Sequence, residues 1–119
     1  MIKRYTTKIM NQIWSDQNKF NTWKNVEVAV ARIMANRNLI PKKSFNNIEK
    51  RADFNVEKIL EIEKITRHDV IAFLTNMAEY IGPDSRYVHM GMTSSDLLDT
   101  SLACLCKQAG EVILKKLIS

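Results

Sequence analysis

The final stretch of the chain carries the pattern that most restricts what it can fold into. Leu98, Leu102, Leu105, Ala109 and Val112 follow one another in alternating steps of four and three. That spacing is the seam of a helix packed in a bundle. Leu97, Ile113, Leu114 and Leu117 widen the apolar face beyond a simple seam. A face this wide asks for more partner helices than the rest of the chain comfortably supplies. The pattern also stops without a C-cap glycine, so the sequence reads as cut rather than finished.

The remainder is helical as well. Ser15 or Asp16 can cap a long helix running to about Asn36, with Phe20, Trp23, Val26, Val30, Ile33 and Met34 on its apolar side. Residues 1–14 before it form an irregular arm or a short helix, on which Arg4 and Tyr5 stand exposed. A short helix near Lys42–Ala52 follows Pro41 and turns Phe45 and Ile48 inward. Asn55 caps Val56 to about Thr66, with Ile59, Ile62 and Ile65 on one side and Glu57, Glu61 and Glu63 towards solvent. The pattern resumes at Val70, capped by Asp69, and stops at Gly82-Pro83. Alternating β-branched runs are almost absent, and the three glycines and two prolines fall near helix boundaries. The expectation is an all-α domain spanning 1–119 and ending in the start of a long bundle helix.

Charge and composition narrow the function by exclusion. The net charge of +5 is spread over pairs such as Lys42-Lys43, Lys50-Arg51 and Lys115-Lys116, with acidic residues nearby. A solvated surface fits that better than a nucleic-acid stripe. No apolar run is long enough to cross a bilayer, and Met1-Ile2-Lys3-Arg4-Tyr5 lacks the apolar core of a signal peptide, so a cytoplasmic location is expected. Cys104 and Cys106 lie two apart in a helical stretch and read as small reduced core residues. Trp14, Phe20, Trp23 and the methionines read as core packing. Metal-ligand spacings and nucleotide-fold fingerprints are missing, so neither metal nor cofactor is expected.

Two polar clusters stand out. In His89-Met90-Gly91-Met92-Thr93-Ser94-Ser95-Asp96, Thr93 and Asp96 have capping-box spacing, and Gly91 allows close backbone approach. A helix start lined with hydroxyls suits a carboxylate or phosphate. The same residues also serve simply to cap a helix. The second cluster is Thr66-Arg67-His68-Asp69 between two helices. Asp69 has a capping duty there, whereas Arg67 and His68 have none in this reading. His68 fits a core histidine satisfied by a carbonyl, but a cation, an imidazole and a carboxylate at one junction equally make a site.

Taken together these stretches resemble the N-terminal part of the adenylosuccinate lyase family, within the fumarase/aspartase superfamily. The resemblance rests on Ile2-Lys3-Arg4-Tyr5, on Ile13-Trp14-Ser15-Asp16, and on Glu61-Ile62-Glu63-Lys64 running into Thr66-Arg67-His68-Asp69-Val70-Ile71-Ala72-Phe73. Val88-His89-Met90-Gly91-Met92-Thr93-Ser94-Ser95-Asp96 completes it. It implies the N-terminal helical domain of the lyase fold. It also implies a β-elimination that releases fumarate from adenylosuccinate, leaving AMP, and from the succinylated carboxamide ribotide of purine synthesis. The resembled enzymes are homotetramers that use no cofactor and draw each active site from three subunits.

Residue by residue, the resemblance implies that Arg4 and Tyr5 contact the nucleotide, with the guanidinium suited to phosphate. Arg67, His68 and Asp69 would line the substrate, His68 orienting it or assisting proton transfer. His89 would lie near anionic groups, and Thr93 and Ser94 would hold a succinyl carboxylate, with Ser95 and Asp96 supporting. The family's principal acid and base come later in its sequence and have no counterpart here, so the chain alone is expected to be inactive. Argininosuccinate lyase-like enzymes and cycloisomerases are the nearest alternatives. A helical interaction module and a helical nucleic-acid-binding domain are the readings from other classes.

Overall fold

The computed structural model describes residues 5–119 and contains no strand among them. Six α-helices follow one another: α1 (Lys8–Ile13), α2 (Asp16–Asn36), α3 (Lys42–Arg51), α4 (Val56–Thr66), α5 (Asp69–Ile81) and α6 (Ser94–Ile118). A short 3-10 turn, Pro83–Tyr87, connects towards α6. The N-terminal arm thus contains a short helix, whose cap is Thr7. Local chemistry sets most boundaries. Ser15 caps α2 by accepting from the Asn18 N–H, and Asn55 caps α4 by accepting from the Lys58 N–H. Gly82, at φ 85, closes α5 in a conformation that a side chain would strain.

The core is built on aromatic rings. Phe20 of α2 stacks on Phe73 of α5, with centroids 5.9 Å apart and planes 8° from parallel. Trp23 meets both rings edge-on, at 5.1 and 5.4 Å. Ile48, Phe54, Ile59, Val70, Met77, Ile81 and Leu97 complete the same cluster, so α2 to α6 share one core. A smaller cluster of Ala31, Ala35, Ile40 and Phe45 joins the end of α2 to α3.

Three asparagines tie this core together through backbone groups that packing alone leaves open. Asn18 donates to the Ile13 carbonyl at 2.8 Å and to Gln108 Oε1 at 3.0 Å, linking α1, α2 and α6. Asn47 of α3 donates to the Ile81 carbonyl at 3.3 Å and to Asp84 at 2.9 Å. Asn76 of α5 accepts the Asn55 N–H at 2.8 Å. The bonds to Ile13, Ile81 and Asn55 satisfy backbone groups at helix ends, and those to Gln108 and Asp84 join side chains.

The packing departs from the sequence reading at several helices. In α2 the buried line is Phe20, Trp23, Glu27, Ala31 and Ala35, whereas Val26 and Val30 are half-buried and Ile33 is exposed. Small residues take the tight side because α3 packs closely there. Ile65 at the end of α4 is 86% exposed, and only Ile59 of that helix is fully buried. Glu57 and Glu61 face solvent as expected, and Glu63 is half-buried.

In α6 the buried seam is Leu97, Ser101, Leu105 and Ala109, at four-residue steps. Leu102 lies outside it, together with Ile113, Leu114, Leu117 and Ile118. Cys104 and Cys106 are exposed free thiols rather than core residues. Trp14 and Met90 are also partly open to solvent, unlike Trp23 and Met77. The wide apolar face expected for the last helix is therefore present, with half of it uncovered. Ile9 and Ile13 of α1 reach only its far end, where they line an open groove with Val112, Leu114 and Ile118.

Candidate functional site

The junction between α4 and α5 is made by backbone that each of its polar residues stabilises. Arg67 adopts a left-handed conformation, φ 54, and its N–H donates to the Glu63 carbonyl at 2.7 Å, ending α4. His68 then turns extended and caps α5, with Nδ1 accepting the Ile71 N–H at 3.2 Å. Asp69 is the first helical residue and not the cap, because the imidazole already occupies that position. Its Oδ1 lies 2.8 Å from the Val70 N–H, and its charge suits the positive end of the helix. Arg67 and His68 therefore both carry structural duties that the sequence reading did not assign.

This cap fixes the chemistry of His68. A nitrogen that accepts a backbone N–H is unprotonated, so the neutral ring carries its proton on Nε2. The contact of 3.8 Å between Nδ1 and Asp69 is accordingly no hydrogen bond. His68 and Asp69 are about two-fifths exposed, leaving Nε2–H and the carboxylate available to a ligand. Arg67 is exposed and forms no ion pair among the described residues.

His89 lies in a different setting. The residues after the 3-10 turn form a tight bend with two left-handed positions, His89 at φ 65 and Gly91 at φ 77. The Met92 N–H closes it by donating to the His89 carbonyl at 3.1 Å. The bend swings the imidazole against α2, where Nδ1 meets Glu27 Oε2 at 2.7 Å. Glu27 is 2% exposed, and burial pushes its carboxyl above the usual carboxylate range, while His89 acts in the opposite direction.

The start of α6 forms as expected. Thr93 Oγ1 accepts the Asp96 N–H at 3.3 Å, and Asp96 Oδ2 accepts the Thr93 N–H at 2.8 Å, a complete capping box. The Thr93 hydroxyl proton and the Ser94 hydroxyl stay uncommitted among the described residues. An anion can be met there by hydroxyls and first-turn N–H groups, although Asp96 already places one negative charge beside them.

One core holds all three segments. Val70 follows the Arg67-His68-Asp69 junction, Val88 precedes His89, and Met92 and Leu97 flank Thr93 and Ser94; all belong to or pack against the aromatic cluster. No hydrogen bond or ion pair among the described residues joins the junction, His89 and Thr93 to one another directly. Tyr5 is largely exposed, and Arg4 lies outside the described residues. Glu27 escaped the sequence reading, although a signal existed: it falls on the line Phe20, Trp23, Ala31 and Ala35, where a carboxylate needs a partner.

The chain matches the family described as Lyase over residues 1–119. It is 48% identical to adenylosuccinate lyase of Aquifex aeolicus over 118 residues, 97% of this chain and 27% of that protein. The corresponding enzymes of Synechocystis and Bacillus subtilis are 47% and 43% identical, each match covering 98% of this chain and 27% of the relative. The chain thus spans about a quarter of the length of the curated relatives it matches, in their N-terminal region. Among solved structures, a fumarate lyase from Mesorhizobium sp. BNC1 shares the fold, with a TM-score of 0.78 and 21% identity over 87% of this chain and 25% of that one.

Proposed function

Because the chain belongs to the lyase family, we propose that residues 1–119 are the N-terminal helical domain of an adenylosuccinate lyase and supply part of its substrate site. The reaction is a β-elimination: a base takes a proton from the succinyl carbon, the C–N bond breaks, and an acid protonates the leaving nitrogen. Fumarate leaves, with AMP or the carboxamide ribotide as the other product. The two proton carriers come from other parts of the enzyme. This domain binds and orients, and the 119 residues alone turn over no substrate.

Within that division, Arg4 and Tyr5 meet the nucleotide, and Arg67, His68 and Asp69 line the substrate. His68 offers Nε2–H to orient it or assist proton transfer. His89 faces the anionic groups, and Thr93 and Ser94 take a succinyl carboxylate at the positive end of α6. The enzyme works as a cytoplasmic homotetramer, in which further bundle helices cover Leu102, Ile113, Leu114 and Leu117. The observation that carries the reading is the suspension of three polar segments from one aromatic core, each with an uncommitted polar group.

The test is a chimera in which residues 1–119 replace the matching segment of the Bacillus subtilis relative. Absorbance is followed as adenylosuccinate is cleaved. Activity in the chimera, with none from the 119 residues alone, is the expected result. A folded, assembled chimera without activity would sink the reading.

A further inference from the structure

We propose that Glu27 is the positioning residue for His89, accepting from Nδ1–H so that Nε2 is the nitrogen presented to the substrate. The inference rests on the reading of His89 as substrate-facing, and the geometry supplies the rest. The Glu27 side chain is 1% exposed at the middle of α2, between Trp23 and Ala31. An apolar residue would fill that position without removing a charge from water, so a carboxylate there carries a desolvation penalty that packing does not require. Its one hydrogen bond among the described residues goes to His89 Nδ1, and the buried Oε1 has no partner. The carboxylate is therefore committed to the ring and to no network of its own.

His89 for its part reaches Glu27 only through a left-handed backbone, φ 65, which is unfavourable for any side chain larger than glycine. The ring is 18% exposed, and Nε2 has no hydrogen-bond partner among the described residues and is not sealed from solvent. A carboxylate on one imidazole nitrogen fixes both the tautomer and the direction of the other, as it does for metal-binding and triad histidines. The two histidines of this chain are thereby set in opposite senses: His68 is bare at Nδ1, and His89 is protonated there.

Long-range proton–nitrogen NMR of the imidazole rings tests this in the 119-residue chain, with His68→Asn used to assign the two signals. His89 is expected to carry a proton on Nδ1. Glu27→Gln, which retains an acceptor, should keep that proton, whereas Glu27→Met should move the neutral ring towards the Nε2–H form. A bare Nδ1 in the unsubstituted chain overturns the proposal, as does a His89 signal unchanged in folded Glu27→Met. Should Glu27→Met fail to fold, the unsubstituted chain still decides. AMP added as the probe is expected to shift Nε2 more than Nδ1, with a several-fold weaker response in Glu27→Met. If AMP leaves His89 untouched while the tautomers are as stated, the positioning stands and the substrate-facing reading fails.

Discussion

His68 holds the Ile71 N–H on its Nδ1 at 3.2 Å, so the residue proposed to orient substrate also caps the helix behind it. Replacing it therefore changes two things at once. His68→Ala should destabilise the chain by about 0.5–2 kcal/mol through loss of the cap. His68→Asn keeps a side-chain acceptor and should recover most of that loss. In the chimera both variants should lose activity by roughly 10²-fold or more, since neither retains Nε2–H. Thermal melts beside initial rates separate the effects. Full activity in His68→Asn would reduce the imidazole to a cap.

Burial raises the Glu27 carboxyl above its ordinary value of 4.5. The folded chain then holds this proton more tightly than the unfolded chain does. Stability contributed by Glu27 is complete below about pH 4.5 and declines as pH rises through the folded value. Glu27→Gln removes that titration. The melting temperature of the unsubstituted chain, minus that of Glu27→Gln, should fall as pH is raised from about 4 towards neutrality. A difference that grows with pH would contradict the burial effect.

The sequence reading puts Ile59 and Ile65 on one side of α4, yet six residues at about 3.6 per turn set them roughly 120° apart, and only Ile59 is buried. Ile59→Ala should cost about 2–5 kcal/mol and Ile65→Ala less than about 0.5 kcal/mol. Urea unfolding of the two variants measures the contrast directly.

The pair also shows what the sequence could and could not convey. Caps that use common chemistry, Ser15, Asn55 and the Thr93–Asp96 box, fall where the sequence places them. The sequence points to Asp69 as the α5 cap, one residue late, because aspartate is the usual capping type and histidine is not. Periodicity identifies α2 to α6 but not always their buried side, and it leaves residues 1–14 as either an arm or a short helix. In α2, Val26, Val30 and Ile33 compete with Ala31 and Ala35, and hydrophobicity favours the larger residues although the small ones fit the contact with α3. The polar clusters of the proposed site are legible as motifs. Glu27 is not, because its role depends on a bend sixty-two residues away in sequence.

Ser101 faces the seam of α6, and its buried hydroxyl has no hydrogen-bond partner among the described residues. Ser101→Ala removes an unsatisfied polar atom and improves helix propensity. It should stabilise the chain by up to about 1 kcal/mol in the same urea experiment. A loss of stability would show that the hydroxyl is bonded after all.

The uneven cover along α6 has a kinetic counterpart. Leu97 and Leu105 are locked into the core, whereas beyond Ala109 only Val112 is half-buried. Amide hydrogens near Leu97 and Leu105 can exchange with solvent deuterium only when the whole core opens. Those from about Glu111 onward need no more than unwinding of the helix end. A single continuous helix therefore contains two populations of amide clocks, slow where it packs on α2 and fast where it runs bare.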